Sequence, residues 1–117
     1  MTRLMRAQIR PGVLGVDTTV KSAQGLWRAF APRWDMVMGH KNGTLSNAQY
    51  TELYDQILDR VPAVVWDTLA KRECETWLCY CRDGWFCHTH EIIAYAVKRW
   101  PERFQDGRRH EQTPTLF

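Results

Sequence analysis

Two short apolar runs, separated by a long stretch of helix-like sequence, constrain the fold more than any other feature. The first run, residues 13–16, leads into Asp-Thr-Thr-Val at residues 17–20, and we predict a buried strand over residues 13–20 that delivers Asp17 and Lys21 to its carboxyl end. The second run, residues 75–81, predicts another buried strand. Helical patterning lies between the two runs and follows the second. This alternation predicts a small three-layer or two-layer α/β domain with a short, largely parallel sheet and about four helices.

The first two predicted helices are marked by signals at their ends. Pro32 is suited to the first turn of a helix, and Gly43 is expected to end that helix. Ser46 and Gln49 have the spacing of a capping box, in which each side chain binds the backbone of the other. A second helix is therefore predicted from Ser46 to about residue 60.

The remaining elements carry weaker signals. Pro62 opens a third predicted helix, and an apolar stripe predicts a fourth over residues 87–100. Residues 2–9 alternate weakly and predict an edge strand, and residues 22–31 are expected to form a loop. A turn is predicted at residues 82–84, where an Arg-Asp-Gly sequence follows the second buried strand.

Length and charge limit the classes of protein open to this chain. Its 117 residues predict one domain over residues 1–100, followed by a polar, loosely ordered tail over residues 101–117. The net charge of +3 permits an anionic partner, although dedicated nucleic-acid-binding domains carry a denser basic stripe. No stretch reaches the length of a membrane span, and residues 1–10 lack the apolar segment of a signal peptide. We therefore expect a cytoplasmic protein without a membrane partner.

The densest group of reactive side chains lies between Cys79 and His90. Cys79 and Cys81 point to one face of the predicted strand, and Cys87 and His88 stand at the start of the following helix. One interpretation is thiol chemistry, because the positive end of a helix dipole and a nearby imidazole both lower the pKa of a cysteine. Cys87 or Cys81 would then be the nucleophile and His88 the base.

A second interpretation of the same residues is a zinc site. Three thiolates, from Cys79, Cys81 and Cys87, and an imidazole, from His88 or His90, would make a complete set of four ligands. Side chains two residues apart on an extended strand are separated by about 7 Å, so the chain must bend before both can bind one ion. A third interpretation is plain burial, since a free cysteine packs as a small hydrophobe. The residues leave all three interpretations open.

Further candidates lie at the end of the first predicted strand and on the predicted helices. Ligands of parallel sheets bind beyond the carboxyl ends of the strands. Asp17 and Lys21 are therefore expected to meet the turn over residues 81–88 across one crevice. Trp34 and Tyr50 could line that crevice, although aromatic residues at helical spacing usually belong to the core. Two further residues are expected to have no special role, namely His40 at the surface and Cys74 as an inert thiol.

Several short motifs follow one another along residues 13–100. They are Asp-Thr-Thr-Val-Lys-Ser at residues 17–22, Ala-Pro-Arg-Trp at residues 31–34 with Met36 and Met38, Tyr50 with Tyr54, Leu-Cys-Tyr-Cys at residues 78–81, and Phe-Cys-His at residues 86–88. In this order they resemble the YeaO-like domain-of-unknown-function family of bacteria and phages. The family has no assigned activity, so the resemblance implies a fold and a site near His88, and a host-cytoplasmic location if the chain is phage-encoded. Thr89 stands where members often have Arg, which removes a cation from the helix start.

Two functional hypotheses follow from these residues. The first is a domain that binds a small anionic ligand, such as a nucleotide or a nucleic-acid end, between Lys21 and residues 81–88, with thiol chemistry as an option. The second is a non-enzymatic module that binds a protein partner, for instance a phage factor acting on a host protein. In that case the cysteines would be structural, with or without zinc.

Overall fold

A computed structural model describes residues 1–81 and 86–108 as a parallel sheet packed against helices. Within these residues the strands are β1 (Thr2–Gln8), β2 (Val16–Asp17), β3 (Cys74–Cys79) and β4 (Phe104–Asp106). The α-helices are α1 (Trp34–Lys41), α2 (Asn47–Asp59), α3 (Ala63–Ala70) and α4 (His88–Arg99), and a 3-10 helix spans Gly25–Phe30. The strand order is β2-β3-β1-β4, and every pairing is parallel. The predicted α/β class and parallel sheet are confirmed.

The helices cover one face of the sheet, which makes the domain two-layered in its described part. Leu4 and Trp77 share this face and are fully buried. The ring of Trp77 lies 5.0 Å from that of Phe30 in the 3-10 helix. On the opposite face Arg3 and Cys74 pair in register and both are exposed. A one-sided sheet of this kind places most of the aromatic rings in a single core between sheet and helices.

The positions of two strands in the sheet differ from the prediction. We expected residues 2–9 at an edge, but β1 lies inside the sheet, between β3 and β4. The run over residues 13–20 was expected to be a buried strand, but only Val16–Asp17 pair, and they form a short edge strand. Leu14 is 88% exposed. An apolar run shows that a segment tends to extend, but it does not show how many neighbours the strand will have.

The predicted helices are confirmed, with small changes at their ends. Ser46 caps α2 as expected: its Oγ accepts from the backbone N–H of Gln49, and the Gln49 Oε1 accepts from the N–H of Ser46. Gly43 follows α1 with a φ of +80°, a conformation that favours glycine. The loop expected over residues 22–31 instead contains the 3-10 helix. Its Phe30 is buried, and the Phe30 carbonyl accepts a hydrogen bond from the Tyr54 hydroxyl at 2.6 Å.

The segment after α4 is more ordered than its composition suggests. We expected a loosely ordered tail from residue 101 onward, but Phe104–Asp106 form β4 and pair with β1. The buried ring of Phe104 anchors this strand against Trp66 and Trp100. The predicted turn at residues 82–84 and the tail from residue 109 lie outside the described residues.

In the part of the chain that the structure describes, none of the helices is both long and apolar enough to cross a bilayer.

Candidate thiol cluster and cavity

A cavity of about 460 Å³ opens where β2 and β3 end and α4 begins. The residues that follow each strand therefore face the same space, as expected for ligand sites of parallel sheets. Seven of the residues singled out from the sequence line it: Lys21, Trp34, Tyr50, Cys79, Cys81, Cys87 and His88. Chain segments that are far apart in sequence thus meet in one crevice, as the strand order requires.

The sulfur atoms of Cys79, Cys81 and Cys87 form a cluster within this cavity. Their three Sγ atoms all lie within 4.8 Å of one another, and Cys79 Sγ is 2.9 Å from Cys87 Sγ. β3 ends at Cys79 and the chain bends at Cys81. This is the bend that a Cys-x-Cys pair needs if both sulfurs are to approach one point. We call these three residues the thiol cluster; they could hold a metal ion.

Arg6 on β1 is the member of the site that sequence reasoning missed. One of its Nη atoms donates to Cys79 Sγ at 2.9 Å and to the carbonyl of Cys81 at 3.0 Å. Its Nε donates to Thr89 Oγ1 at 3.1 Å. The guanidinium therefore holds the bend at Cys81 and places a positive charge beside the thiol cluster. Arg6 follows Thr2 and Leu4 on the inward face of β1. A charged residue at an inward position of this alternating pattern is the feature of the sequence that could have pointed to Arg6.

The three thiols of the cluster do not ionise alike. Hydrogen bonds from Cys81 and Cys87, together with the charge of Arg6, lower the pKa of Cys79. The hydrogen bonds that Cys87 makes to Cys79 and Cys81, and then its burial, raise the pKa of Cys87. The negative charge therefore settles first on Cys79, the sulfur that the guanidinium contacts. A thiolate is the form in which a cysteine binds a metal or attacks an electrophile.

His88 is a buried, neutral neighbour of the thiol cluster. Burial lowers the pKa of His88 to about 4. Its Nδ1 lies 3.6 Å from Cys87 Sγ, and its Nε2 lies 2.9 Å from Thr18 Oγ1. Among the described residues, the group of possible ligand atoms within 4.8 Å contains the three sulfurs but not this imidazole. The assignments of His88 as a base and of Cys87 or Cys81 as a nucleophile stay predictions.

Asp17 and His90 were also predicted site residues, but neither is among the described residues that line the cavity. The Asp17 carboxylate accepts from the N–H and the hydroxyl of Thr19 at 2.8 and 2.7 Å and also from the Ser22 hydroxyl. Although burial raises its pKa, these hydrogen bonds lower the pKa of Asp17 overall. Asp17 thus shapes the turn that carries Lys21. His90 Nδ1 lies 3.1 Å from an Arg108 Nη atom.

Aromatic side chains form a further part of the cavity lining. Trp34 is 49% exposed and Tyr50 is buried. His40, which we expected at the surface without a role, also lines the cavity and stacks on Phe86 at 4.6 Å between ring centroids. Cys74 is exposed at the start of β3, at the other end of that strand from Cys79, and its inertness stays a prediction.

Comparison with known proteins yields no relative for this chain: no family profile, no curated protein and no solved structure matches it. The resemblance to the YeaO-like family therefore stays a prediction. The class is defined by the geometry alone, as a small parallel α/β domain with three clustered cysteines in a cavity at the carboxyl ends of its strands.

Proposed function

We propose that the domain binds a divalent metal ion that prefers thiolate ligands, and that it binds a small anionic ligand beside this ion. Three cysteine ligands favour zinc as the metal. The observation that carries the proposal is the thiol cluster, whose three sulfurs line a ligand-sized cavity. Three protein ligands with a fourth position open to a cavity is the pattern of reactive zinc sites, whereas structural zinc sites are closed by four protein ligands.

The spacing of the sulfurs supports a metal ion. Zinc–sulfur bonds of about 2.3 Å place tetrahedral ligands about 3.8 Å apart. The cluster has its three sulfurs within 4.8 Å of one another, with one pair at 2.9 Å, so shifts of about an ångström would bring them to that spacing. The hydrogen bond from Arg6 to Cys79 Sγ would act as an outer-shell contact that orients the ligand and stabilises its charge.

The charges around the cavity support an anionic ligand. Lys21 and Lys41 line it, and no Asp or Glu is among the described lining residues. A positively charged rim raises the local concentration of anions and speeds their arrival.

The metal proposal is tested by titrating the reduced, metal-free protein with Co²⁺ and following the thiolate-to-cobalt charge-transfer absorption. The wild type is expected to bind one equivalent with the intensity of three thiolates. Cys81→Ser is expected to lose about a third of that intensity and to bind more weakly. The matched control is Cys74→Ser, whose exposed sulfur lies outside the cluster and whose titration should equal the wild type. No absorption in the wild type, or an equal loss in Cys74→Ser, would overturn the proposal.

Removal of the metal separates an open site from a structural one. The connected hydrophobic core between the sheet and the helices contains none of the three cysteines of the thiol cluster. The protein is therefore expected to stay folded after a chelator has removed the metal. Unfolding on chelation would instead favour the hypothesis of a protein-binding module with structural zinc, because such domains fold only with their metal bound.

A second candidate function is a dithiol redox pair, favoured by the 2.9 Å separation of Cys79 and Cys87 sulfurs. In that reaction both thiols lose their protons, a sulfur–sulfur bond forms, and two electrons pass to an oxidised disulfide such as glutathione disulfide, which is reduced to two thiols. Mass spectrometry of the metal-free protein after this treatment is expected to find the Cys79–Cys87 link with two hydrogens lost. Mixed disulfides on Cys74 alone would contradict it.

A further inference from the structure

We infer that the cavity selects an aromatic phosphate, in which a flat ring is joined to a phosphate group directly or through a sugar, of about the size of a mononucleotide. The inference rests on the proposed function of the cavity as an anion site and names the ligand class. Its basis is the juxtaposition of two lysines with exposed aromatic rings on the rim of the cavity.

The lysines carry charge that the described part of the chain does not neutralise. Lys21 has a ring contact, with its Nζ 5.4 Å from the centroid of Trp34, and neither Lys21 nor Lys41 forms an ion pair with a described residue. Two cations that no described carboxylate neutralises, beside one cavity, match the two negative charges of a phosphate monoester.

A bound metal would not cancel this positive rim. A divalent ion contributes two positive charges and three thiolates contribute three negative charges, which leaves one negative charge. The guanidinium of Arg6 donates a hydrogen bond to Cys79 Sγ, and its positive charge balances the remaining negative charge of the metal site. The net positive charge of the described lining then remains with Lys21 and Lys41, so the anionic end of a ligand is expected to lie nearer these side chains than the sulfurs.

The rings at the rim provide a surface for the flat part of the ligand. Trp34 is 49% exposed and Tyr80 is 59% exposed, and both line the cavity. Large rings left in water at the mouth of a pocket are typical of surfaces that stack on a ligand. Because Lys21 lies over the ring of Trp34, the surface for stacking and the cation are adjacent. A ligand that uses both must therefore carry its ring close to its charge.

The volume of the cavity sets the size of the ligand. About 460 Å³ falls in the range of about 300–1,000 Å³ that is usual for small-molecule sites. This volume accommodates a single nucleotide or a simpler aryl phosphate.

The inference is tested by isothermal titration calorimetry of the metal-loaded protein with four probes: adenosine monophosphate, phenyl phosphate, adenosine and inorganic phosphate. The aromatic phosphates are expected to bind at one equivalent and at least about tenfold more tightly than adenosine or inorganic phosphate. Lys21→Met and Trp34→Leu are each expected to weaken the binding of adenosine monophosphate by about tenfold. Lys71→Met is the matched control, because Lys71 is exposed and precedes β3 at the end remote from the cavity.

The outcomes separate this inference from the proposed function. Tight binding of either aromatic phosphate supports the inference, and the tighter of the two tells whether the ring is a nucleobase or a simple aryl group. Inorganic phosphate binding as tightly as adenosine monophosphate would overturn the inference while leaving an anion site. Adenosine binding as tightly would overturn both the inference and the anion site. If no probe binds although the protein retains one equivalent of metal, the inference fails and the metal centre stands.

Discussion

The polar side chains at the two ends of the sheet differ in what they face. At the end where β1 and β3 begin, several polar groups bind other parts of the chain, and we call it the closed end for that reason, although it borders a second cavity lined in part by Lys71 and Glu102. Thr2 Oγ1 donates to the carbonyl of Arg72 at 2.5 Å, Arg72 pairs with Glu75, and Arg103 pairs with Asp67 at 2.8 Å. At the end where β2 and β3 finish, the cavity end, Lys21 and the thiol cluster face a cavity instead.

This difference indicates that one end of the sheet mainly stabilises the fold and the other mainly serves ligand binding. Groups that are satisfied within the chain hold the fold together, whereas cations and thiols turned toward a cavity cost stability and are kept where a ligand can satisfy them. Changes at the closed end should therefore lower the free energy of unfolding, and changes at the cavity end should mainly lower affinity.

The largest effect is expected at the closed end, from Phe104→Ala. Phe104 is 1% exposed, and its ring lies 6.1 Å from Trp66 and 6.0 Å from Trp100. Loss of the ring leaves a cavity in the core, so the free energy of unfolding should fall by about 3–5 kcal/mol in urea denaturation. Gln105→Ala, an exposed neighbour on β4, should stay within about 0.5 kcal/mol of the wild type. Equal stability of the Phe104 and Gln105 variants would break the contrast.

A smaller effect, of the opposite kind, is expected from Arg6→Met at the cavity end. The substitution keeps much of the apolar stem but removes the hydrogen bonds to Cys79 Sγ and the Cys81 carbonyl. Loss of such an outer-shell contact should weaken Co²⁺ affinity by at least about tenfold in a competition titration. Arg3→Met is the control, because Arg3 is exposed on the opposite face of β1. An unchanged affinity in Arg6→Met would show that the guanidinium has no part in metal binding.

The smallest effect concerns Glu91, which lies in the first turn of α4 and outside the described lining of the cavity. Burial and then its hydrogen bond with Asp55 raise the pKa of Glu91 to about 8. A raised pKa in the folded state means stability that is present below the ordinary pKa near 4.5 and is lost as the pH rises toward 8. The half-exposed carboxyl is screened by water, so we expect Glu91 to contribute a loss of only about 1 kcal/mol between pH 5 and pH 8. His88 contributes in the opposite direction over the lower part of this range, because burial lowers its pKa to about 4 and the fold therefore gains stability as the pH rises from 5.

Urea denaturation of the wild type and of Glu91→Gln at these two pH values isolates the Glu91 contribution, because His88 is present in both proteins. Glu91→Gln cannot ionise, so its stability relative to that of the wild type should rise by about 1 kcal/mol from pH 5 to pH 8. Glu52→Gln, which alters an exposed carboxyl on α2, should keep the wild-type pH dependence. A Glu91→Gln profile parallel to the wild type would show that this carboxyl is ionised in both states.

Local sequence signals predicted the helices well and the sheet less well. The capping box at Ser46 and the stop at Gly43 are chemistry within a few residues, so the sequence contains all that determines them. The place of β1 inside the sheet depends on β4, a three-residue strand in a polar segment held by Phe104. Pairing between distant segments is not encoded in either segment alone, and both the central position of β1 and the order of residues 104–106 were therefore missed.

The same reasoning explains what was predictable in the candidate site. The carboxyl ends of parallel strands lie side by side, so Lys21 and the cysteines could be expected to share a crevice. The bend at Cys81 was recognised as a requirement for a metal, but its cause, the hydrogen bond from Arg6 to the Cys81 carbonyl, comes from a strand more than seventy residues away in the chain. His40 was placed at the surface because its spacing on α1 does not reveal that Phe86 stacks on it.

X-ray absorption at the zinc edge of the zinc-loaded protein counts the sulfurs bound to the metal and so tests whether the thiol cluster is a metal site. We expect three sulfur ligands at about 2.3 Å and one lighter ligand, with one sulfur lost in Cys81→Ser and none in Cys74→Ser. A shell of nitrogen and oxygen alone would contradict it, as would a sulfur count that falls in Cys74→Ser.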